Sequence, residues 1–175
     1  MSRILSFYCS IQRMNTTKLP DKSAALDRTD RAILRQLQRD ASLTNVQLAD
    51  KVHLSPAACL RRVERLRTAG AIRKTVALLN PDALGAGMLV IIGVVLDRST
   101  PEAFAAFEQA AAALPGCLEC HVVTGEFDYF LMLRTENSES FNRLHAANLL
   151  YLPGVRQVRT FMVLKQVLST TEIAV

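Results

Sequence analysis

The alternation of apolar and polar positions predicts three short helices near the beginning of the chain. The first follows Leu26, the second covers residues 44–52, and the third covers residues 55–70. In each of them, apolar residues recur every three or four positions, which gathers them on one face of a helix. Thr44 and Gln47 have the spacing of a capping box, and only two residues separate the second helix from the third. This tight connection predicts a helix-turn-helix.

The third helix, with the sequence SPAACLRRVERLRTAG, has the clearest boundaries. Ser55 is a good N-cap, Pro56 occupies a position where no N–H is needed, and Gly70 suits the left-handed conformation that ends many helices. Off its apolar stripe the helix carries small residues and then arginines, which is typical of a helix that enters the DNA major groove. A charge run on an ordinary solvated helix is the alternative. The predicted DNA-binding residues are Ser55, Ala57, Ala58, Arg61, Arg62 and Arg65.

These residues are expected to make different kinds of contact with DNA. The arginines reach phosphates or base edges, while the serine and the two alanines lie near bases or phosphates at the start of the helix. Because Arg62 and Arg65 lie off the apolar stripe, removing either is expected to weaken DNA binding and leave the fold intact.

Residues 71–81, with the sequence AIRKTVALLNP, favour a strand that ends at the Asn-Pro pair. A strand directly after a recognition helix is expected to be a wing or a hinge. The winged helix-turn-helix domain with its hinge strand is therefore predicted to cover residues 26–81.

Residues 1–25 lack periodicity and are interpreted as a flexible arm. A basic arm that touches phosphate through Lys18 and Lys22 is the alternative. Translation from Met14 would leave residues 1–13 outside the protein.

Residues 82–175 have the pattern of a second domain. Residues 88–96, MLVIIGVVL, are apolar at every position, which predicts a strand that is covered on both faces. Turn and capping signals divide the rest into further elements. In order, these are a helix opened by residues 99–101 and ending near 114, strands over 117–124 and 129–135 joined by a turn at 125–128, a helix over 138–150 and a strand over 155–164.

The predicted order β-α-β-β-α-β is that of a ferredoxin-like domain, an antiparallel four-stranded sheet with both helices on one face. The fold class is therefore α+β: an N-terminal winged helix-turn-helix and a C-terminal ferredoxin-like βαββαβ domain. That topology leaves one sheet face bare, although the strand at 88–96 is apolar on both faces. A second copy of the chain is expected to cover it, and a dimer also suits a reader of palindromic half-sites.

The charge distribution separates the two halves. Residues 1–75 carry 15 Lys and Arg against 6 Asp and Glu, whereas residues 76–175 carry 6 against 10, so a charge of +9 precedes one of −4. The basic half is expected to bind a polyanion. No apolar run is long enough for a signal segment or a membrane span, and four cysteines in a chain of this size do not suggest a disulfide framework. A cytoplasmic protein without a membrane partner is expected.

Cys117, Cys120 and His121 have the spacing of a redox or zinc motif. On a regular strand, however, Cys117 and Cys120 point to opposite faces, and no second pair of ligands follows. No phosphate-binding loop and no catalytic set of residues can be identified. The sequence therefore predicts no metal, no cofactor and no enzymatic activity.

Several motifs resemble the Lrp/AsnC family, the leucine-responsive or feast/famine regulators of prokaryotic transcription. The likeness extends from about residue 26 to residue 171 and is carried by two independent domains in the right order. The motifs are LDRxD at 26–30, TNVxLA at 44–49, SPxxCLxRVxRL at 55–66, ALLNP at 77–81, ECHVVxGEFDY at 119–129 and LPGV at 152–155.

The resemblance implies a winged helix-turn-helix joined by a hinge strand to an amino-acid-sensing domain, assembling as dimers and often as rings of dimers. In this family small effectors bind near the turn that residues 125–128 match, so Gly125, Glu126, Phe127 and Asp128 are the predicted effector-binding residues. Main-chain amides suit a carboxylate there, and Glu126 or Asp128 suits an ammonium group. The alternative is that Gly125 only forms a hairpin turn and the acids are solvated.

The sequence therefore predicts a DNA-binding transcription regulator, specific for its DNA sequence, that responds to an amino acid or a related small metabolite. Double-stranded DNA, the effector and further copies of the chain are its expected partners. The alternative is a chromosome-organising protein that binds DNA with little sequence specificity, for which a steep salt dependence without a preferred site would be the signature.

Overall fold

A computed structural model describes residues 26–175. The predictions for residues 1–25, including the flexible arm, Lys18, Lys22 and the start at Met14, lie outside the described residues. The chain divides into two compact units between Ala77 and Leu78. Thr170–Val175 belongs to the first unit, whereas the sequence alone assigns it to the second domain.

The described residues of the first unit form three helices, each of which begins at a capping side chain. Asp27 and Asp30 cap the first helix reciprocally, with the Asp30 N–H donating to Asp27 Oδ1 at 2.7 Å. Thr44 and Gln47 form the predicted capping box at the second, and the hydroxyl of Ser55 accepts an N–H from the first turn of the third. The helices are α1 (Arg28–Arg39), α2 (Asn45–Lys51) and α3 (Pro56–Thr68).

One buried cluster holds the three helices together. Ile33 of α1 and Cys59 of α3 are completely buried, and Gly70 ends α3 at φ 73°, as the sequence predicts. Burial of this apolar surface is the main source of stability for a unit of this size. The cluster consists of Ile33, Leu34, Leu48, Ala49, Cys59, Val63 and Leu66.

The predicted strand after α3 is absent from the described structure. Residues 73–80 have no regular secondary structure, and Val76, Leu78 and Leu79 are exposed. The prediction is wrong for the single chain because a strand needs a neighbour to pair its main-chain groups, and no strand within residues 26–175 pairs with this segment.

The second unit has the predicted order of strands and helices. Its sheet is antiparallel, with the strand order β2-β3-β1-β4. This is the ferredoxin-like arrangement that the sequence predicts. The elements are β1 (Met88–Leu96), α4 (Pro101–Ala112), β2 (Cys117–Val122), β3 (Tyr129–Thr135), α5 (Ser138–Ala147) and β4 (Val155–Met162), with 3-10 turns at Asp82–Leu84 and Leu149–Tyr151. The N-cap of α5 is Asn137, whose side chain accepts the Ser140 N–H at 2.9 Å.

The two faces of this sheet differ in how completely their side chains are buried. On one face, Tyr129 is completely buried, and the centre of its ring lies 4.5 Å from the centre of the Phe107 ring on α4. On the other face, Ile91 lies in register between Met132 and Phe161, and Phe161 is 47% exposed. The second face is therefore apolar and incompletely covered in the single chain.

The two cysteines on β2 point to the same face, so the prediction of opposite faces is wrong. A register shift lies between Cys117 and Glu119. As a result, Cys117 pairs with Leu133 and Cys120 pairs with Leu131, two alternate and completely buried positions of β3. An extra residue in a bulged strand reverses the alternation of its side chains. Even so, no group of His, Cys, Asp and Glu in the described part of the chain could hold a metal ion.

Candidate DNA interface and effector turn

The start of α3 is fixed from two sides. The hydroxyl of Ser55 accepts the N–H of Ala58 at 3.3 Å, so this serine serves as the helix cap. The side-chain amide of Asn45, the first residue of α2, donates to the Pro56 carbonyl at 2.8 Å. The turn between the two helices is therefore held by a side chain as well as by the main chain, and Ala57 is exposed beside it.

The three arginines predicted to contact DNA have different surroundings. Arg61 is exposed and makes no ion pair with any residue in the 26–175 range. Arg62 and Arg65 both point back to α1. Arg61 is thus the member of the set that is available to a phosphate or a base without first giving up a partner.

Arg62 and Arg65 share the carboxylate of Asp30. Arg62 Nη1 lies 2.9 Å from Asp30 Oδ1 and 2.6 Å from Asp27 Oδ2, while Arg65 Nη2 lies 2.5 Å from Asp30 Oδ2. Asp30 is only 1% exposed, so each of its oxygens depends on a guanidinium for its charge balance. The two arginines therefore fasten α3 to the start of α1.

Asp27 and Arg62 each shift the pKa of the other toward its charged form. The Asp30 N–H and then the Arg62 guanidinium hold the pKa of Asp27 below its usual value. Asp27 and Asp30 in turn raise the pKa of Arg62. Two positive and two negative side chains thus form a locally neutral cluster behind α3.

The sequence alone does not identify Asp27 and Asp30 as partners of the arginines. The signal was present: two carboxylates three residues apart at one helix start and two guanidiniums three residues apart on another helix. Only the packing of α1 against α3 shows that the pairs meet.

Asp128, in the predicted effector turn, is bound to the main chain of β1. Its carboxylate accepts the Leu96 N–H at 2.8 Å, and its own N–H donates to the Val94 carbonyl at 2.9 Å. Gly125 opens the turn at φ 122°, a conformation that few residues other than glycine adopt. The turn is consequently a fixed structure at the end of the sheet.

Glu126 and Phe127 extend from the turn over the open face of the sheet. Glu126 Oε1 pairs with Arg159 Nη1 of β4 at 2.8 Å, and the Arg159 guanidinium lies 5.7 Å from the centre of the Phe127 ring. The centre of the Phe127 ring also lies 5.1 Å from the centre of the Phe130 ring. An acid, a base and an aromatic surface therefore stand together at an exposed site.

Gly93 makes room for this arrangement. A Cβ atom at Gly93 would lie 2.7 Å from two carbons of the Phe127 ring, closer than van der Waals contact allows. A glycine inside an otherwise apolar strand is a known sign of such an approach. Sequence reasoning missed Gly93, Phe130 and Arg159, although the first of them carried this signal.

Both units match known families. A family model described as the Lrp/AsnC ligand binding domain matches residues 89–173, and one described as winged helix-turn-helix DNA-binding matches residues 26–73. No described helix is both long and apolar enough to cross a membrane.

Similar proteins align over almost their whole length. The leucine-responsive regulatory protein of Klebsiella pneumoniae is 40% identical over 162 residues, covering 93% of this chain and 98% of that protein. That of Serratia marcescens is 41% identical over 158 residues, covering 90% of this chain and 95% of that protein.

A solved structure of a transcriptional regulator from Neisseria meningitidis, in complex with L-Met, superimposes with a TM-score of 0.82 at 36% identity, covering 86% of this chain and 97% of that chain. An AsnC family transcriptional regulator from Agrobacterium tumefaciens gives a TM-score of 0.81 at 29% identity, covering 85% of this chain and 96% of that one. Two domains, in the same order and at these levels of identity, exclude a chance likeness. The chain belongs to the Lrp/AsnC family of transcription regulators, which combine a winged helix-turn-helix with an amino-acid-binding domain and are not enzymes.

Proposed function

We propose that this regulator binds specific double-stranded DNA sites in the cytoplasm through the exposed side of α3 and that an amino acid bound at residues 125–128 changes this binding. The observation that carries the proposal is the pair formed by Glu126 and Arg159 beside the Phe127 ring. A carboxylate and a guanidinium 2.8 Å apart at an exposed site complement the two charged ends of a free amino acid.

The effector is proposed to separate this ion pair. Its carboxylate replaces Glu126 on Arg159, and its ammonium group replaces Arg159 on Glu126. An exposed ion pair contributes about 0–1 kcal/mol, so it costs little to open. Phe127 then offers an apolar surface to the effector's side chain. Asp128 holds the turn in the required shape through its bond to Leu96, rather than by facing the effector directly.

DNA contact is proposed to centre on the start and the exposed side of α3. Ala57, Ala58 and Ser55 allow the helix to approach the groove closely, and Arg61 supplies the unpaired positive charge. Arg62 and Arg65 contribute chiefly by holding α3 against Asp30. They reach a phosphate only with the part of each guanidinium group that faces away from the carboxylates.

A second copy of the chain is proposed to cover the open sheet face around Ile91, Met132 and Phe161. Partial exposure of large apolar side chains on one continuous face is typical of a protein–protein interface. Dimers built in this way place two copies of α3 to read a two-fold symmetric site, and further association of dimers gives larger assemblies. Phe161→Glu should therefore shift the mass measured by light scattering toward the monomer.

A thermal-shift screen against the amino acids tests the effector site, because a ligand of the folded state raises the melting temperature. The best hit is then titrated by calorimetry into the wild-type protein, Glu126→Gln and Arg159→Gln. Losing one charge-assisted contact should weaken binding by about 10-fold to 150-fold. Arg156→Gln, which alters another exposed arginine of β4, is the matched control. Equal affinity in all four proteins would place the effector elsewhere.

Mobility shifts at two salt concentrations distinguish the sequence-specific regulator from the chromosome-organising alternative. Binding to a preferred site that persists at the higher salt concentration supports the sequence-specific regulator. Steep salt dependence without a preferred site, together with no amino-acid binding, would favour the second.

A further inference from the structure

The segment Thr170–Val175 packs in the first unit, although it follows the last strand of the second. The chain leaves the first unit after Ala77 and returns to it at Thr170. Within that unit the segment contacts α1, and near the start of the segment the hydroxyl of Thr170 accepts the Glu172 N–H at 3.0 Å. Neither the helix-turn-helix core nor the proposed effector site explains this contact.

Gln38 of α1 binds both main-chain groups of Ile173. Its Nε2 donates to the Ile173 carbonyl at 3.0 Å, and its Oε1 accepts the Ile173 N–H at 2.6 Å. A side-chain amide carries one donor and one acceptor side by side, so it can pair with a peptide much as a neighbouring strand does. The Ile173 side chain is 73% exposed, so the contact recognises the main chain rather than this side chain.

Two further contacts are made by Val175, two residues after Ile173. Arg35, one turn before Gln38, donates through Nη1 to the Val175 carbonyl at 3.1 Å. The Val175 side chain packs against the buried cluster of the three helices. The segment is thus held by polar contacts to its main chain and by an apolar contact with the core.

We propose that the face of α1 formed by Arg35 and Gln38 is a docking site for an extended peptide segment. Its occupant is Thr170–Val175 of the same chain, and the docked segment supports the recognition helix through α1. Gln38 and Asp30 lie on one continuous helix, eight residues or about 12 Å apart along its axis. Asp30 holds Arg62 and Arg65, so α1 connects the docked segment with α3.

Three full-length variants test the docking. Gln38→Ala removes both bonds to Ile173, and Ile173→Pro removes the N–H donor. Ile173→Ala keeps both main-chain groups and is the control. In hydrogen exchange, the main-chain amide of residue 173 should be protected in the wild-type protein and in Ile173→Ala. In Gln38→Ala this protection should be lost, and the amides along α1 should exchange faster. An unprotected Ile173 amide in the wild-type protein would overturn the docking.

Stability and DNA affinity test the supporting role. Gln38→Ala and Ile173→Pro should lower the melting temperature by about 4–8 °C and Ile173→Ala by much less. DNA affinity should fall roughly threefold to tenfold in the first two variants, the factor expected for the loss of one or two ordinary hydrogen bonds. Loss of exchange protection with unchanged DNA affinity would overturn the link from α1 to α3.

A cross-linking experiment identifies the occupant. Cysteines replace Arg39, which lies one turn after Arg35 on the same face of α1, and Glu172. Heavy-isotope and ordinary chains are refolded together before treatment with a short bismaleimide. Cross-linked peptides in which both halves carry the same isotope support docking within one chain. Pairs of one heavy and one light half would instead assign the segment to a second copy and overturn the intrachain assignment, as would the absence of this cross-link.

Discussion

The carboxylate of Asp128 accepts a hydrogen bond from the main-chain N–H of Leu96 at 2.8 Å, which holds the turn at residues 125–128 to the end of β1. The sequence predicts that Asp128 binds the effector, or else that it is a solvated acid. In the structure this side chain already satisfies a partly buried N–H, so it has a structural role whether or not a ligand is present.

Replacing Asp128 with alanine should therefore destabilise the second unit. The Leu96 N–H loses its acceptor, at a cost of about 1–3 kcal/mol in the free energy of unfolding. Asp128→Asn retains an oxygen at this position and should lose less. Urea denaturation of the two variants measures the difference. Wild-type stability in Asp128→Ala would show that the bond contributes nothing, and an altered ligand response could then be assigned to the effector site itself.

Gly93 and Phe127 should behave as a coupled pair. Gly93→Ala places a Cβ atom 2.7 Å from the Phe127 ring, so the ring must move or the strand must shift, at a cost of about 1–3 kcal/mol. Phe127→Leu removes the ring and should relieve the clash. A double-mutant cycle in urea denaturation measures the coupling. If the two single effects simply add, the close approach does not constrain the strand.

Much of the fold could be predicted because its signals are local. The capping box of Thr44 and Gln47, the Ser55 cap and the glycine after α3 each act within one helical turn, so a few adjacent residues determine them. The strand and helix order of the second unit follows from apolar runs and turn residues in the same way. The order of these elements then predicts two domains, and the family resemblance agrees with both.

The features that escaped prediction depend on distant parts of the chain. Arg62 meets Asp27 across 35 residues, and Gln38 meets Ile173 across 135. The segment at 73–80 favours a strand locally but lacks a neighbour to pair with. On β2, the register shift after Cys117 reverses an alternation that the sequence gives no reason to doubt. Each outcome was decided by packing or pairing between elements.

Arg61 and Arg62 offer a matched pair of neighbouring arginines for testing stability. Arg62→Ala deprives the buried Asp30 carboxylate of one of its two charged partners, which should lower the free energy of unfolding by about 1–3 kcal/mol. Arg61→Ala removes an exposed side chain without an ion pair and should change stability by less than about 0.5 kcal/mol. Thermal unfolding of both variants decides the point. Equal stability of the two variants would mean that Arg62 is free to contact DNA.

Asp27 should make the first unit sensitive to acid. Its pKa in the folded state lies below the ordinary value of 3.8, because the Asp30 N–H and Arg62 favour the carboxylate. A lowered folded pKa contributes stability that is present above the unfolded pKa and is lost as the pH falls through the folded value. Melting temperatures of wild type and Asp27→Asn should therefore converge as the pH falls below 3.8. Curves that stay parallel at all pH values would contradict the assignment.

Arg61→Ala should weaken DNA binding more than its effect on stability can explain. Arg61 is exposed on α3 and pairs with no acid in the described part of the chain, whereas Arg62 and Arg65 are held by Asp30. If Arg61 binds a phosphate, its loss should weaken all sequences alike and reduce the slope of log affinity against log salt by about one. If it binds a base edge, the loss should be about 1–3 kcal/mol and confined to the preferred site.

Mobility shifts with specific and scrambled DNA at two salt concentrations separate these outcomes for Arg61. Arg67→Ala, which removes another exposed arginine from the last turn of α3, is the control for net charge. Arg62→Lys belongs in the same series, because a lysine keeps the positive charge but loses the geometry that joins Asp27 to Asp30. It should bind less tightly if α3 must be fastened to α1. Wild-type affinity in Arg61→Ala, with a loss in Arg67→Ala, would move the DNA contact to the end of the helix.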